Sequence, residues 1–344
     1  MTPDAIKRLV VRAPNWLGDA VMALPAMGAV RAAFPSAHLA IAVNPAIAPL
    51  FDEETNARQD NILVLPHARR EARTLAAGQY DAVVLLPNSF RAAWAARRAS
   101  IPERHGYAAE GRGWLLTKAV RRPRGRVHQS DDYLELVRGL GIPASNELPR
   151  VAVRPGTQAR ADSLLADRGI DPGSRAIGFA PGAAYGHAKR WPPRRVAELI
   201  VRLSRESGAA CILFGAESDR DAGREIESAL PPDVRAVNLI ARTDLRLLAG
   251  VIARCSAFVS NDSGAMHLAA ALGRPVIAII GPTDERVTAP LGGTGGQAAH
   301  DVLTHPVFCR PCMLRDCPID HRCMKRITVD QVFAAVTRRV EVAR

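Results

Sequence analysis

The chain alternates between short apolar runs and longer amphipathic stretches from one end to the other. The short runs predict β-strands, and the stretches between them predict helices. In the first half, strands are predicted over residues 8–13, 38–44, 61–66 and 80–87, with helices beginning near Asp19, Pro45, Arg69 and Ser89. In the second half, strands are predicted over residues 175–182, 210–216, 235–240, 257–261 and 275–282. This alternation indicates parallel βαβ units and an α/β fold.

A stretch rich in proline, glycine and polar residues, 141–162, separates the two halves. The length of 344 residues also favours two domains. We therefore predict Rossmann-like, doubly wound domains over residues 1–160 and 161–344 that face each other across a cleft. Ligands of open parallel sheets bind at the carboxyl ends of the strands, so the turns after the strands are the first places to search for chemistry.

Composition narrows the class of protein. Hydrophobic residues make up 48% of the chain, and no apolar run approaches the ~18 residues that a membrane-spanning helix needs. The N-terminus lacks the pattern of a signal peptide, so a cytoplasmic location is expected. The net charge of +12 predicts polyanionic partners. Because no nucleic-acid-binding module is recognisable, phosphorylated substrates and anionic membrane surfaces are the partners expected, and nucleic acid is not.

Positive charge is concentrated in residues 91–126, which hold ten Lys and Arg against two Glu. Trp94, Tyr107 and Trp114 are interleaved with these charges. A run of like charge specifies no ligand by itself, so a solvated loop region and a surface for an anionic partner are both consistent with this pattern.

Asp19 lies where the first predicted strand gives way to a helix, in VRAPNWLGDAVMALPAM (residues 11–27). A carboxylate at this position either caps the helix or faces a ligand at the carboxyl edge of the sheet. Gly18 permits a tight turn of the backbone next to it.

Two turns in the second half place charged residues after predicted strands. The segment APGAAYGHAKRWP (residues 180–192) has small residues that allow a ligand close to the backbone, followed by Lys189. The segment FGAESDR (residues 214–220) places Glu217 just after a strand, where a helix dipole would also favour it.

A third turn, SNDSGAMHLAAALG (residues 260–273), carries the strongest signal for a ligand. Asp262 or Ser263 would serve as an ordinary helix N-cap. The backbone amides of residues 263–265 and the Ser263 hydroxyl would equally form a phosphate site at a helix N-terminus. His267 follows Ser263 by four residues and so projects from the same face of the helix. Neither a Walker motif nor a GxGxxG after a strand is present, which disfavours a dinucleotide oxidoreductase.

Four of the six cysteines crowd into CRPCMLRDCPIDHRC, ahead of a C-terminal helix. Their spacing is compatible with a structural zinc site, although it is tight for tetrahedral coordination, and disulfides are disfavoured in a reducing cytosol. The four candidate ligands are Cys309, Cys312, Cys317 and Cys323.

In combination, APNWLGDAVMALPAM, APGAAYGHAKRWP and NDSGAMHLAAALGRPVIAIIGPTD resemble motifs of the ADP-heptose:lipopolysaccharide heptosyltransferases, glycosyltransferase family 9. The similarity spans nearly the whole chain and is closest to the branch that adds the second heptose of the inner core. It implies a GT-B fold and an inverting, metal-independent transfer of heptose from ADP-L-glycero-D-manno-heptose to heptosyl-Kdo2-lipid A. No cofactor is implied for the transfer, so the zinc site would be purely structural.

The resemblance also implies roles for individual residues. Asp19 matches the carboxylate that the family uses as catalytic base, and Lys189 matches a lysine at the donor diphosphate. Glu217 falls near the donor nucleoside. The D-[ST]-G-x-x-H element that holds the diphosphate and sugar corresponds to Asp262, Ser263, Gly264 and His267.

The first domain would then bind the acceptor, whose phosphates and carboxylates suit bidentate arginine. Arg91, Arg97 and Arg98 are the candidates, and the enzyme would contact the cytoplasmic face of the inner membrane peripherally. An enzyme that adds the first heptose, or uses another acceptor, remains an alternative. A non-catalytic protein that binds a nucleotide sugar would keep the NDSG turn but would have no need of Asp19.

Overall fold

The computed structural model describes residues 5–65, 69–123, 125–171, 173–292 and 299–342. Its internal contacts divide the chain into two compact units, Met1–Ala152 and Val153–Arg344. Within the described residues, no helix is both long enough and apolar enough to cross a membrane.

The first unit is built around a parallel sheet. Its elements are β1 (Arg8–Arg12), α1 (Leu17–Met22), α2 (Leu24–Ala33), β2 (His38–Val43), β3 (Glu54–Thr55), β4 (Asn61–Val64), α3 (Glu71–Ala77), β5 (Ala82–Leu85), α4 (Phe90–Arg98), β6 (Glu103–Tyr107), β7 (Lys118–Val120), α5 (Gln129–Gly139) and β8 (Val151–Ala152). Six of the described strands form a sheet in the order β4-β2-β1-β5-β6-β7, and β3 pairs antiparallel with β8. The strand order reverses between β1 and β5. The carboxyl ends of these two strands are therefore the switch point, where ligands bind in such sheets.

The second unit repeats this arrangement. Its elements are α6 (Pro155–Ala166), β9 (Ala176–Ala180), α7 (Pro193–Ser207), β10 (Ala210–Leu213), α8 (Arg220–Ala229), β11 (Ala236–Asn238), α9 (Leu245–Ala253), β12 (Ala257–Asn261), α10 (Gly264–Ala271), β13 (Val276–Ile279), α11 (Glu285–Thr288), β14 (Asp301–Leu303), α12 (Arg322–Lys325) and α13 (Val329–Val342). Its described strands form a second parallel sheet, in the order β11-β10-β9-β12-β13-β14. Here the switch point lies between β9 and β12.

The predicted strands are confirmed, since each of the nine apolar runs contains a strand of one of the two sheets. The central strands β1, β5, β9 and β12 are almost wholly buried, as expected of parallel strands that are covered by helices on both faces. The helix predicted from Pro45 is wrong, because that segment forms only a short 3-10 helix, Ala48–Asp52. Strands β6, β7 and β14 were not predicted, because their sequences carry charged or polar residues within short runs.

The division between the units falls before α6, whereas the sequence placed it after residue 160. Helix α6 belongs to the second unit because it packs against α9. Gly250 of α9 lies so close to Ala161 that an added Cβ would be 2.9 Å from the alanine Cβ. Arg254, at the end of α9, forms a salt bridge of 2.9 Å with Asp162. The polar composition of 141–162 therefore indicated where the two units join, but not that α6 begins within this stretch.

Candidate active site

A buried ion pair lies at the switch point of the second sheet. The Lys189 Nζ, on the loop after β9, is 2.7 Å from Oδ2 of Asp262, which directly follows β12. Both side chains are largely withdrawn from solvent, with 12% and 5% of their surfaces exposed. The Thr283 hydroxyl donates to the same carboxylate oxygen at 2.7 Å. Asp262 therefore holds the Lys189 ammonium group in place and is not an ordinary helix cap.

Ser263 occupies the N-cap position of α10, but its side chain forms no capping hydrogen bond with that helix. Its hydroxyl instead lies 3.1 Å from the hydroxyl of Ser260. The first-turn amides of α10, which begins at Gly264, therefore receive nothing from the Ser263 hydroxyl, and a helix N-terminus in this state favours an anion. His267 is buried in the same helix, one turn further on. The structure thus brings Lys189, Asp262, Ser263, Gly264 and His267 to one edge of the sheet.

Asn261 fastens the Lys189 loop to the end of β12. Its side-chain amide donates to the carbonyl oxygens of Pro181 and Gly182, at 2.6 and 3.3 Å. The side-chain oxygen of Asn261, Oδ1, accepts from the backbone N–H of Trp191 at 3.1 Å. Because Asn261 is buried, these bonds hold the loop at both ends. Asn261 was not predicted from the sequence, although a polar side chain that ends a buried strand was the available signal.

Glu217 lies apart from this cluster. It is exposed just beyond β10 and forms a 2.5 Å salt bridge with Arg220. The buried acid of that turn is Asp219, which accepts from Arg190 at 3.0 Å and from the backbone N–H of Ala216 at 3.0 Å. Gly182 makes room for it, since a Cβ there would lie 2.2 Å from the carboxyl carbon of Asp219. Asp219 was not predicted from the sequence, because its burial distinguishes it from Glu217 and the residue spacing does not.

Asp19 lies at the switch point of the first sheet, after β1. It is the third residue of α1, while Trp16 occupies the N-cap position and makes no side-chain capping bond. Asp19 is therefore not the N-cap residue of this helix. Helix α5 packs against α1 and brings Tyr133 near Asp19. Burial, and after it the negative charges of Asp19 and Asp132, raise the pKa of Tyr133, so its phenol stays protonated.

The turn that carries Asp19 is held by a buried arginine at the end of β1. Nε of Arg12 donates to Glu71 at 2.8 Å, and Nη2 donates to the side chain of Asn15 at 2.8 Å. The carbonyl oxygen of Asn15 in turn accepts from Asn44 at 2.8 Å. Arg12 and Glu71 are both nearly excluded from solvent, so each compensates the charge of the other. Nothing in the local sequence distinguished Arg12 from a surface arginine.

The basic stretch 91–126 is divided by the fold into surface and interior residues. Arg91, Arg97 and Arg98 are exposed on α4. Arg112 is fully buried and donates to the carbonyl oxygens of Tyr107 and Ser89, at 2.9 and 3.2 Å. Burial lowers the pKa of Arg112 to about 10. The interpretation as a solvated loop region is wrong, because the stretch contains α4, β6 and β7, although Arg124 lies outside the described residues.

The four clustered cysteines are free thiols. Cys323 enters the core of the second unit with Met324, while Cys309, Cys312 and Cys317 stay half-buried. Burial, more than any other effect, raises the pKa of the Cys323 thiol. The negative charges of Cys309, Cys312 and Cys317 raise this pKa further. In the part of the chain that the structure describes, no group of three or more His, Cys, Asp or Glu side chains is arranged to hold a metal ion. The zinc site considered from the spacing stays a prediction.

Two units with parallel, doubly wound sheets are the architecture of GT-B glycosyltransferases, and the second unit carries a lysine and a helix N-terminus at its switch point. Residues 68–318 match the family described as Glycosyltransferase family 9 (heptosyltransferase), and the chain belongs to that family of enzymes.

Known relatives agree with this assignment. The chain is 34% identical to the lipopolysaccharide heptosyltransferase 2 of Salmonella typhimurium. The alignment covers 83% of this chain and 85% of that protein. The lipopolysaccharide heptosyltransferase 1 of Pseudomonas aeruginosa is 31% identical, but over only 44% of this chain and 40% of its own. The solved structure of the ADP-heptose LPS heptosyltransferase II of E. coli superposes with a TM-score of 0.83 at 28% identity, covering 97% of this chain and 99% of that one.

Proposed function

We propose that this protein transfers heptose from ADP-L-glycero-D-manno-heptose to heptosyl-Kdo2-lipid A and so adds the second heptose of the lipopolysaccharide inner core. The observation that carries the proposal is the Lys189–Asp262 pair beside the N-terminus of α10, at 2.7 Å. It provides a fixed cation and a helix dipole for one diphosphate. The long alignment with a heptosyltransferase 2, against a partial one with a heptosyltransferase 1, supports the second heptose over the first.

The donor is assigned to the second unit. Lys189 and the first-turn amides of α10 would receive the diphosphate, with the Ser263 hydroxyl beside it. Asp262 orients Lys189, and Gly264 allows close approach at the helix start. His267 would donate to a sugar or phosphate oxygen. The exposed carboxylate of Glu217 would accept hydrogen bonds from the ribose hydroxyls of the nucleoside, in exchange for its pairing with Arg220.

Asp19 is assigned the role of general base. It takes the proton of the acceptor hydroxyl while that oxygen attacks the anomeric carbon of the heptose, on the face opposite to ADP. The bond between the anomeric carbon and the diphosphate oxygen breaks, and its electron pair leaves with ADP. Lys189 and the α10 amides stabilise the charge that develops on the diphosphate. One attack from the opposite face inverts the configuration at the anomeric carbon.

The acceptor is an anionic glycolipid, and Arg91, Arg97 and Arg98 are assigned to its anionic environment. All three are exposed on α4, which follows β5 at the switch point of the first sheet. Arginine suits phosphates and carboxylates, and basic surfaces are attracted to anionic leaflets. The protein would therefore work at the cytoplasmic face of the inner membrane, bound peripherally.

We expect transfer without a divalent cation, because Lys189 and the helix N-terminus supply the positive potential that a metal ion would otherwise provide at the leaving diphosphate. Turnover of the purified enzyme should be the same with EDTA and with added Mg²⁺, measured as ADP release. Loss of activity in EDTA that Mg²⁺ restores would contradict this proposal.

The function is tested by incubating the protein with ADP-heptose and two acceptors, Kdo2-lipid A and heptosyl-Kdo2-lipid A. Mass spectrometry should find one added heptose on the second acceptor. The first acceptor should yield at least ~10²-fold less product, because a site that uses specific polar contacts rejects an acceptor lacking them. Preference for Kdo2-lipid A would identify an enzyme that adds the first heptose. Donor binding without any product would identify a non-catalytic nucleotide-sugar-binding protein.

A further inference from the structure

Helix α4 buries its small residues and exposes its large apolar ones. Its buried face is built from alanines that pack into the core of the first unit: Ala92, Ala93, Ala95 and Ala96. Phe90 and Trp94, one turn apart, are 41% and 42% exposed. A surface helix ordinarily places its large apolar side chains toward the core. The opposite arrangement in α4 leaves two aromatic rings at the surface of the protein.

A third ring joins them from the segment after β6. Trp114 is 61% exposed, although the next residue, Leu115, is fully buried and anchors the backbone there. The ring centroids of Phe90, Trp94 and Trp114 lie 6.2 to 6.4 Å from one another, so each ring contacts the other two. We call these three residues the aromatic cluster. Contiguous exposed apolar groups of this kind mark interaction surfaces.

Arginines surround the aromatic cluster. Arg97 places its guanidinium over the Trp114 ring, with Cζ 5.6 Å from the centroid. Arg91 and Arg98 are exposed on the same helix. Aromatic rings flanked by arginine are typical of segments that lie in the interface of an anionic bilayer. In such segments the rings enter the boundary between head groups and acyl chains, and the cations contact phosphates.

The position of this surface fits a substrate that is anchored in lipid. Helix α4 follows β5, and the helix that carries Asp19 follows the neighbouring strand β1 in the same sheet. Trp114 comes after β6, the next strand on the other side of β5. The carboxyl ends of these parallel strands share one edge of the sheet. A bilayer at this edge would present the sugars of a lipid-linked acceptor on the side where the candidate base lies.

We propose that the aromatic cluster, with Arg91, Arg97 and Arg98, forms the surface by which this protein docks on a bilayer of anionic phospholipid. The inference rests on the proposed function, because a lipid-linked acceptor is what requires the enzyme to reach a bilayer. It assigns the α4 arginines to phospholipid head groups, and the three rings to the interface beneath them.

The test measures binding of the full chain to vesicles of phosphatidylcholine with and without phosphatidylglycerol, by sedimentation. Wild-type protein should bind the anionic vesicles, and salt should weaken this binding. The triple variant Phe90→Ser, Trp94→Ser, Trp114→Ser should bind at least ~10-fold more weakly. The pair Arg97→Ser, Arg98→Ser should bind ~10- to 30-fold more weakly, by roughly fivefold per arginine. Phe308→Ser, at a residue that is 80% exposed in the second unit, is the matched control and should bind like wild type.

ADP-heptose binding should be unchanged in every variant, which verifies the fold, and the triple variant should still glycosylate a deacylated, water-soluble acceptor. Undiminished vesicle binding by the triple variant, or an equal loss in Phe308→Ser, would overturn the inference. A raised KM for the deacylated acceptor with normal vesicle binding would identify a sugar subsite instead. Self-association that the triple variant loses would identify a second copy of the chain as the partner. Failure of the wild type to glycosylate either form of the acceptor would count against the proposed function, whatever the vesicles show.

Discussion

Replacing Asp19 by Asn should lower kcat by ~10²- to 10⁴-fold, which is the usual contribution of a positioned general base. This corresponds to about 3–5 kcal/mol of transition-state stabilisation. The amide has nearly the shape of the carboxylate but cannot accept the proton of the acceptor hydroxyl. Since Trp16, and not Asp19, occupies the N-cap position of α1, we expect little change in melting temperature and in ADP-heptose affinity.

The matched control is Asp131→Asn, which alters a half-buried aspartate in the first turn of α5 in the same unit. It should keep near-normal turnover, because a negative charge in a first turn contributes only ~1 kcal/mol or less to helix stability. If Asp19→Asn turned over like wild type, Asp19 would have no catalytic role. If both variants lost activity together with thermal stability, the effect would be structural.

Replacing Lys189 by Met should affect stability and donor binding separately. The buried carboxylate of Asp262 would lose its cation and keep the hydroxyl donors Thr283 and Thr288. Breaking a buried ion pair on one side costs about 3–5 kcal/mol of the free energy of unfolding. ADP affinity should fall as well, by about 1.5–3 kcal/mol for one lost charge-assisted contact.

A second substitution distinguishes these two effects. In the double variant Lys189→Met, Asp262→Asn the buried charge is gone. The free energy of unfolding, measured in urea, should therefore return to within ~1.5 kcal/mol of wild type, as for a buried pair replaced by neutral groups. Calorimetry should still find weakened ADP binding, because the cation is still absent. Recovery of ADP affinity in the double variant would show that Lys189 acts only through stability. Lys325→Met, at an exposed lysine of the same unit, controls for the loss of one positive charge.

The proposed donor side of the site was predictable because it follows from local chain order. Asp262 and Ser263 come directly after one apolar run, Lys189 lies in the loop that follows another, and parallel strands place such turns at one edge. The sequence could not indicate which polar groups would pair there. Asp262 was as good a helix cap as Ser263, and only its 2.7 Å contact with Lys189 decides between these roles.

The proposed acceptor side was less predictable. Ten basic residues in one stretch look alike in the sequence, yet Arg112 is fully buried while Arg97 lies on an exposed aromatic ring. The proximity of Tyr133 to Asp19 depends on the packing of α5 against α1, more than a hundred residues apart in the chain. Contacts of this kind have no local pattern.

The sequence by itself determined the alternation of strands and helices, the two-unit organisation and the turns that carry Asp19, Lys189 and Asp262. These features depend on hydrophobic periodicity and on neighbouring residues, which a linear pattern records. The tertiary structure alone decided that Asp219 is buried while Glu217 is exposed, and that the aromatic rings of α4 face outward. Burial and pairing arise from segments distant in the chain, so they exist only once the sheets and helices have packed.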